Sequence, residues 1–241
     1  MNALIALTSA TTWLSLAGDG QWLNNPVITQ GIPVALMETL GMTFFSGLFT
    51  AIGGLPLGLW LHNVGPVGLA PNRPLYRVLS AVVNVGRSIP FLILAVFIIP
   101  FTRFLVGSFI GWHAAVVPLA IGAIPFYARI VENAVREVEP GKVEAAQMVG
   151  ASRMQIVTGV QIREALPGLV SGFTVTVIAL ISYSAMAGAI GGGGLGKMAI
   201  SYGFQRQLPD VMTATIILII LIVQGVQWIG DAIVHRIDHR H

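Results

Sequence analysis

Residues 39–61 read TLGMTFFSGLFTAIGGLPLGLWL, with no charged side chain anywhere in the run. A helix needs roughly 20 consecutive apolar residues to cross the hydrocarbon core of a bilayer. Backbone polar groups find no water there, so the crossing element is a helix or a closed barrel. The run is continuous, without the apolar–polar alternation of a barrel strand, and it reads as a membrane-spanning helix. Further stretches have the same character. The second, Val78 to Phe101, contains Arg87; the third, Trp112 to Ala128, is short and has His113 near its start. The fourth lies between Glu164 and Lys197, and the fifth runs from Val211 to Gly230 and ends at Asp231.

Composition agrees with that reading. The 241 residues are 55% hydrophobic and only 10% charged, with a mean hydropathy of +0.80. A water-soluble domain carries about 25% charge, so lipid is the solvent for most of this chain. The expected fold class is all-α: a polytopic membrane protein with five transmembrane helices and a helical loop on the cytoplasmic side. Met1 to Ala17 is apolar and rich in Ser and Thr, without the basic start of a secretory signal. A sixth helix there is possible, but an interfacial helix or a disordered lead fits the charge distribution better. The expected organisation is an extracytoplasmic or interfacial extension over 1–33, a membrane domain over 34–234 and a cytoplasmic tail over 235–241. Cysteine is absent, which removes disulfides and cysteine metal sites.

The basic residues set the orientation. Arg73, Arg77, Arg129, Arg136, Lys142, Arg153, Arg163, Arg236 and Arg240 fall on one side of the expected spans, nine in all. Arg103, Lys197 and Arg206 fall on the other, and Arg87 lies inside a span. Lys and Arg concentrate in cytoplasmic connections. The third connection and the C-terminus are therefore expected inside, and the N-terminus outside. The net charge of +3 reports this topology, and no nucleic-acid partner is expected. Membrane lipid is.

The third connection, about 137–165, is too long for a turn and too polar for the membrane. Pro140-Gly141 can open a short helix through Val149, with Glu144 in its first turn, where negative charge suits the helix dipole. Ala145 and Ala146 keep one face small, and Gly150 suits the stop. Ser152 can cap a second short helix with Met154, Val157 and Val160 on one face. An amphipathic hairpin lying on the spans and a docking element for a partner both satisfy this pattern.

Glu144-Ala145-Ala146 followed by Gly150 resembles the EAA loop of the ABC importer permeases. In that family a proline element of the form Ile-x-Leu-Pro follows the glycine, whereas this chain reads Val160-Gln161-Ile162-Arg163. Arg87-Ser88-Ile89-Pro90-Phe91, Ile124-Pro125-Phe126, Glu164 to Leu169, Tyr183-Ser184-Ala185-Met186 and Gly191 to Gly196 are together similar to the methionine branch of the family. The resemblance spans roughly Val34 to Arg240. It implies five spans per subunit, a homodimer, two cytoplasmic ATPase subunits and an extracytoplasmic substrate-binding protein in a bacterial plasma membrane. It also implies a D- or L-methionine importer in which Glu144, Ala145, Ala146 and Gly150 form the coupling helix. On that reading the chain is no enzyme and needs no cofactor; ATP and Mg²⁺ belong to the partner ATPase.

Other readings compete. Another amino acid or small organic solute fits the same family pattern. A carrier or channel without an ATPase is the rival architecture, but no internal repeat is visible. Spans two to five also contain no acidic residue for an ion relay, and Glu38 sits at the outer edge of span one. An intramembrane serine protease needs a Ser facing a His at membrane depth. His113 is at a span edge, and His62, His235, His239 and His241 lie in cytoplasmic parts. Gly191 to Lys197 approaches a phosphate-binding loop, but Met198 stands where Ser or Thr must hold Mg²⁺. Close helix packing and an irregular outer connection explain these glycines better, as close packing does Gly54 and Gly58.

Inside the spans, Arg87 is either a functional intramembrane charge or an interfacial cation that snorkels. Ser171, Thr174, Thr176, Ser182 and Ser184 read as packing or as a mildly polar pathway wall. Tyr183, Ser184 and Met186 are the candidate pathway or gate residues.

Overall fold

The computed structural model describes residues 25–237. Met1–Ala17, expected as an interfacial helix or disordered lead with a sixth helix as the alternative, lies outside the described residues, as do most of the extension and the end of the tail. Among the described residues, four helices are long and apolar enough to cross a membrane, and a fifth span exists if one sharply bent pair is counted together.

The first helix, α1, runs from Val27 to Val64. It opens with a π-helical turn, Val27–Gly31, and becomes α-helical from Ile32. Pro26 starts the helix, and Pro33, which has no N–H to donate, is accommodated beside the widened turn. α2, Arg73–Ser88, is capped by the Asn72 side chain, which accepts from Leu75 N–H at 3.1 Å.

The second span is not one straight helix. The chain turns by 100° between α2 and α3, Phe91–Phe97. Pro90 is the cause. A proline disfavours helical geometry in the residue before it, and Ile89 is extended at φ −80° and ψ 121°. Pro100 then opens α4, Ile99–Val106. α5, Trp112–Arg136, is longer than the expected third span and carries Pro118 and Pro125 inside it.

α6, Pro140–Met148, is the short helix of the connection. No separate second short helix follows it. Ser152 does form a capping box with Gln155, but the helix so begun, Arg153–Ile156, continues through a π turn at Val157–Gln161 into Ile162–Ala189. With no proline between Arg153 and Arg163 there is nothing to stop it, and Arg153–Ala189 is one element, α7. α8, Gly194–Met198, continues into a π turn at Ala199–Phe204, and α9 is Pro209–Ile237.

α1 lies most closely against α5, with α7 beside both and α9 against α7. The α1–α5 seam is made by glycine. A β-carbon on Gly58 would overlap the Ala128 carbonyl oxygen, and one on Gly54 would lie 3.0 Å from the Tyr127 ring. Small residues let helix backbones touch where lipid provides no hydrophobic drive for association. The apolar core follows the seam. Met42, Leu119 and Leu180 are fully buried towards one end, and Val131, Val135 and Leu169 are buried towards the other.

The seam supplies a test of the fold. Gly58→Val is expected to destabilise the bundle by about 1–3 kcal/mol or more through overpacking. The readout is a lowered melting temperature in detergent, or loss of the folded fraction. A melting curve equal to wild type would contradict the backbone contact with Ala128.

Candidate functional site

The bundle has two chemically different ends. At one, glycines make the connections. Gly111 N–H donates to the Gly191 carbonyl at 2.9 Å. Gly193 and Gly194 sit at φ 84° and 74°, a region that penalises any β-carbon. The N–H groups they present are taken by α1: Gly194 N–H donates to Glu38 Oε2 at 2.6 Å and Leu195 N–H to Thr39 Oγ1 at 2.9 Å. Two N–H donors of the run that resembles a phosphate loop are therefore taken by a carboxylate and a hydroxyl of its own chain. Asn25 Nδ2 donates to Asp210 Oδ2 at 2.8 Å, which ties the starts of α1 and α9 at the same end.

The other end carries α6 and most of the charge. α6 is closed by Gly150 at φ 80°. Gly150 N–H donates to Gln147 C=O at 3.0 Å and Ala151 N–H to Ala146 C=O at 3.1 Å, a Schellman termination. Glu144 is the fifth residue of α6, so it lies beyond the first turn expected for it, and the first turn has no acidic residue. The helix-dipole argument therefore does not apply to Glu144. Its side chain lines a cavity of about 350 Å³ together with His62, Arg136, Gln147 and Gln161.

The tip of α6 points away from that cavity. Met148 is 88% exposed and Val149 84%. Ala145 is exposed and Ala146 half-buried. Both are large apolar side chains on an otherwise polar connection. Lys142 Nζ meets Glu164 Oε2 at 2.5 Å and bridges α6 to the part of α7 just after its π turn. Asn63 and Gln161 exchange side-chain hydrogen bonds at 3.0 and 3.2 Å and tie α1 to the π turn of α7.

Sequence reasoning overlooked the best-built charge cluster. Arg129, Glu132 and Arg136 follow one face of α5 at spacings of three and four. Glu132 is fully buried and accepts from Arg129 at 2.5 Å, Arg136 at 2.6 Å and Tyr76 Oη at 3.1 Å. That spacing is visible in the sequence, but counting arginines for orientation leaves the glutamate between them unread.

The candidate gate residues do not converge. Tyr183 is half-buried, with its ring stacked on Phe91 at a centroid distance of 5.0 Å and an interplanar angle of 7°. Met186, one turn on, is half-exposed. Ser184 is buried and donates to the Ile181 carbonyl at 2.7 Å. Thr174, Thr176 and Ser182 likewise donate to carbonyls of their own helix. Arg87 is exposed in the last turn of α2, with its guanidinium 6.0 Å from the Phe126 ring centroid. A cation at a helix C-terminus meets the favourable end of the dipole.

The comparisons with known proteins assign this arrangement. The family described as "Binding-protein-dependent transport system inner membrane component" matches residues 54–240. The chain belongs to this family. It is therefore an inner membrane component of a transport system, multi-pass and helical. The probable D-methionine transport system permease protein MetI of Vibrio cholerae is 52% identical over 206 residues, 86% of this chain and 92% of that protein. The D-methionine transport system permease protein MetI of Escherichia coli K12 is 54% identical over 151 residues, 63% and 70% of the two chains. A solved structure of the MetNI methionine ABC transporter in inward facing conformations matches with a TM-score of 0.83 and 49% identity, covering 84% of this chain and 94% of that one. An amino acid ABC transporter at 20% identity and a TM-score of 0.68 shares the fold.

For this inner membrane component, Arg87→Ala is expected to cost only about 0.3–1 kcal/mol of stability, the worth of an exposed cation at a helix end. Thermal unfolding in detergent checks that value. Uptake measured on the same preparation separates the two readings: a transport loss at near-normal stability makes Arg87 functional, and normal uptake leaves it an interfacial cation.

Proposed function

We propose that this chain is the membrane-spanning permease subunit of an ATP-driven methionine importer. It works as a homodimer with two cytoplasmic ATPase subunits and is fed by an extracytoplasmic binding protein. The observation that carries the reading is the 52% identity to a D-methionine permease across 86% of the chain, which includes the α6 connection. ATP and Mg²⁺ act on the partner subunits. Glu144, Ala145, Ala146 and Gly150 make up the coupling helix, which places α6 and the C-terminus in the cytoplasm and the N-terminus outside. The nine-to-three distribution of basic residues supports that orientation.

The geometry fits a mechanical handle. Gly150 ends α6 sharply, Met148 and Val149 offer an apolar tip, and the Lys142–Glu164 pair fastens the helix to α7. Only residues 137–139 separate α6 from the end of α5. Displacement of α6 by a partner's nucleotide cycle therefore acts directly on two spans. Alternating access needs two discrete packings biased in this way. On the pathway side, Tyr183 and Met186 lie one turn apart on α7, and Phe91 stacks on Tyr183 at the bend after α2. These are neutral, bulky groups suited to gating an uncharged thioether side chain. Ser184 then serves helix packing.

Glu144→Lys puts a second cation beside Arg136 at the cavity under α6. It is expected to leave membrane insertion normal, to weaken retention of the ATPase subunits on co-purification and to cut methionine uptake at least tenfold. Full ATPase retention together with wild-type uptake would refute the coupling role.

A further inference from the structure

We propose that the buried Glu132 carboxylate and its partners form a clasp that makes α2, and with it the bend at Pro90, move as one body with α5. The inference rests on the importer reading and adds a route by which motion of α6 reaches the pathway side of the molecule.

α2 is poorly held by packing. Val83 is its one buried side chain, while Val78, Val82 and Val85 lie exposed on it. Its contact with α5 is instead polar along its length. Tyr76 Oη donates to Glu132 Oε1 at 3.1 Å. Arg129 Nη2 donates to Ser80 Oγ at 2.9 Å and to Asn84 Oδ1 at 2.9 Å. Tyr76, Ser80 and Asn84 are spaced by four, so they form one stripe of α2. Further along the seam a β-carbon at Gly86 would come within 2.8 Å of Pro125 Cγ, so the two helices are also in close contact there.

Glu132 holds the stripe in place from α5. Its two oxygens accept three donors while the residue is fully sealed from solvent. Between Arg129 and Arg136 it offsets the repulsion of two cations on one helix face, to each of which it is bonded. At its far end α5 is bonded through the short link to α6: Glu137 N–H donates to Asn133 C=O at 3.2 Å and Lys142 N–H to Glu139 C=O at 3.1 Å. A push on α6 is delivered to α5, across the clasp to α2, and past Pro90 to Phe91, whose ring lies on Tyr183. Glu132 and Arg129 are thus positioning residues: they touch no substrate on this reading.

The decisive variant leaves the charges alone. Tyr76→Phe with Ser80→Ala and Asn84→Ala removes the α2 half of the clasp and keeps the Arg129–Glu132–Arg136 group intact on α5, so no buried charge is orphaned. In proteoliposomes with the full complex and binding protein, the methionine transported per ATP hydrolysed is expected to fall at least fivefold, with ATPase activity within about twofold of wild type. Glu132→Gln, which keeps the shape and removes the charge, should lower the same ratio. The cysteine-free chain also takes a spin-label pair at Val78 and Asn133, both exposed. Their distance should stay narrow and constant with and without ATP in the otherwise wild-type complex, and broaden in the triple variant. An unchanged methionine-to-ATP ratio in the triple variant, or an equally narrow label distance, overturns the clasp. A wild-type complex that hydrolyses ATP but takes up no methionine overturns the importer reading instead, and the label distances still decide the clasp.

Discussion

Where Gly58 of α1 meets Ala128 of α5, no side chain stands between the two helices. In lipid, burial of apolar surface does not drive helices together, because hydrocarbon chains solvate Leu and Val as well as another helix does. Helix association must come from close packing and from polar groups that have nowhere else to go. Gly54 and Gly58 provide the first, and they fix how near α5 can come to α1. Everything on α5 inherits that position: the core residues Leu119, Val131 and Val135, the charged group towards its C-terminal end, and the link to α6.

The second source of cohesion is polar and is confined to the two ends. At the glycine-rich end, Glu38 and Thr39 accept the N–H groups of Gly194 and Leu195. An irregular backbone is tolerated near the membrane only where protein satisfies it, and a short helix start such as Gly194 carries several free donors. At the charged end, Asn63 pairs with Gln161 and Glu132 with its arginines. The apolar middle between them has few polar ties, so the two ends can respond to different partners while one glycine seam keeps the helices together.

Much of this was legible in the sequence. Four long spans, the short helix after Pro140, the stop at Gly150 and the cap at Ser152 all follow from local rules, because each depends on residues within one turn of itself. The misplaced features depend on longer reach or on proline geometry. The 100° bend at Pro90 falls within a run that is continuous in hydropathy from Val78 to Phe101, and hydropathy does not register a missing N–H. The expected second short helix after Ser152 fused with the span because nothing between Arg153 and Ile162 interrupts it. Glu38 looked like an edge carboxylate, and its partner at Gly194 lies 156 residues away. Glu144 matched a family motif, but a helix that opens at Pro140, as expected, makes it the fifth residue and puts it in the second turn.

The energetics of Glu132 bear on why such a group is there. Desolvating a carboxylate costs several kcal/mol, and a buried ion pair is often no more stabilising than apolar side chains of similar volume. Stability alone would be served as well by a leucine stripe between α2 and α5. Hydrogen bonds, however, have direction and register where apolar contacts slide. A carboxylate with both oxygens occupied, and a guanidinium that reaches Ser80 and Asn84 at once, allow one alignment of α2 on α5. A one-turn slip would part Tyr76 from Glu132 and change the partners that Arg129 meets at Ser80 and Asn84. A helix pair that must transmit displacement rather than absorb it needs that property, and α2, with a single buried apolar side chain and a close approach to Pro125 at Gly86, draws most of it from these bonds.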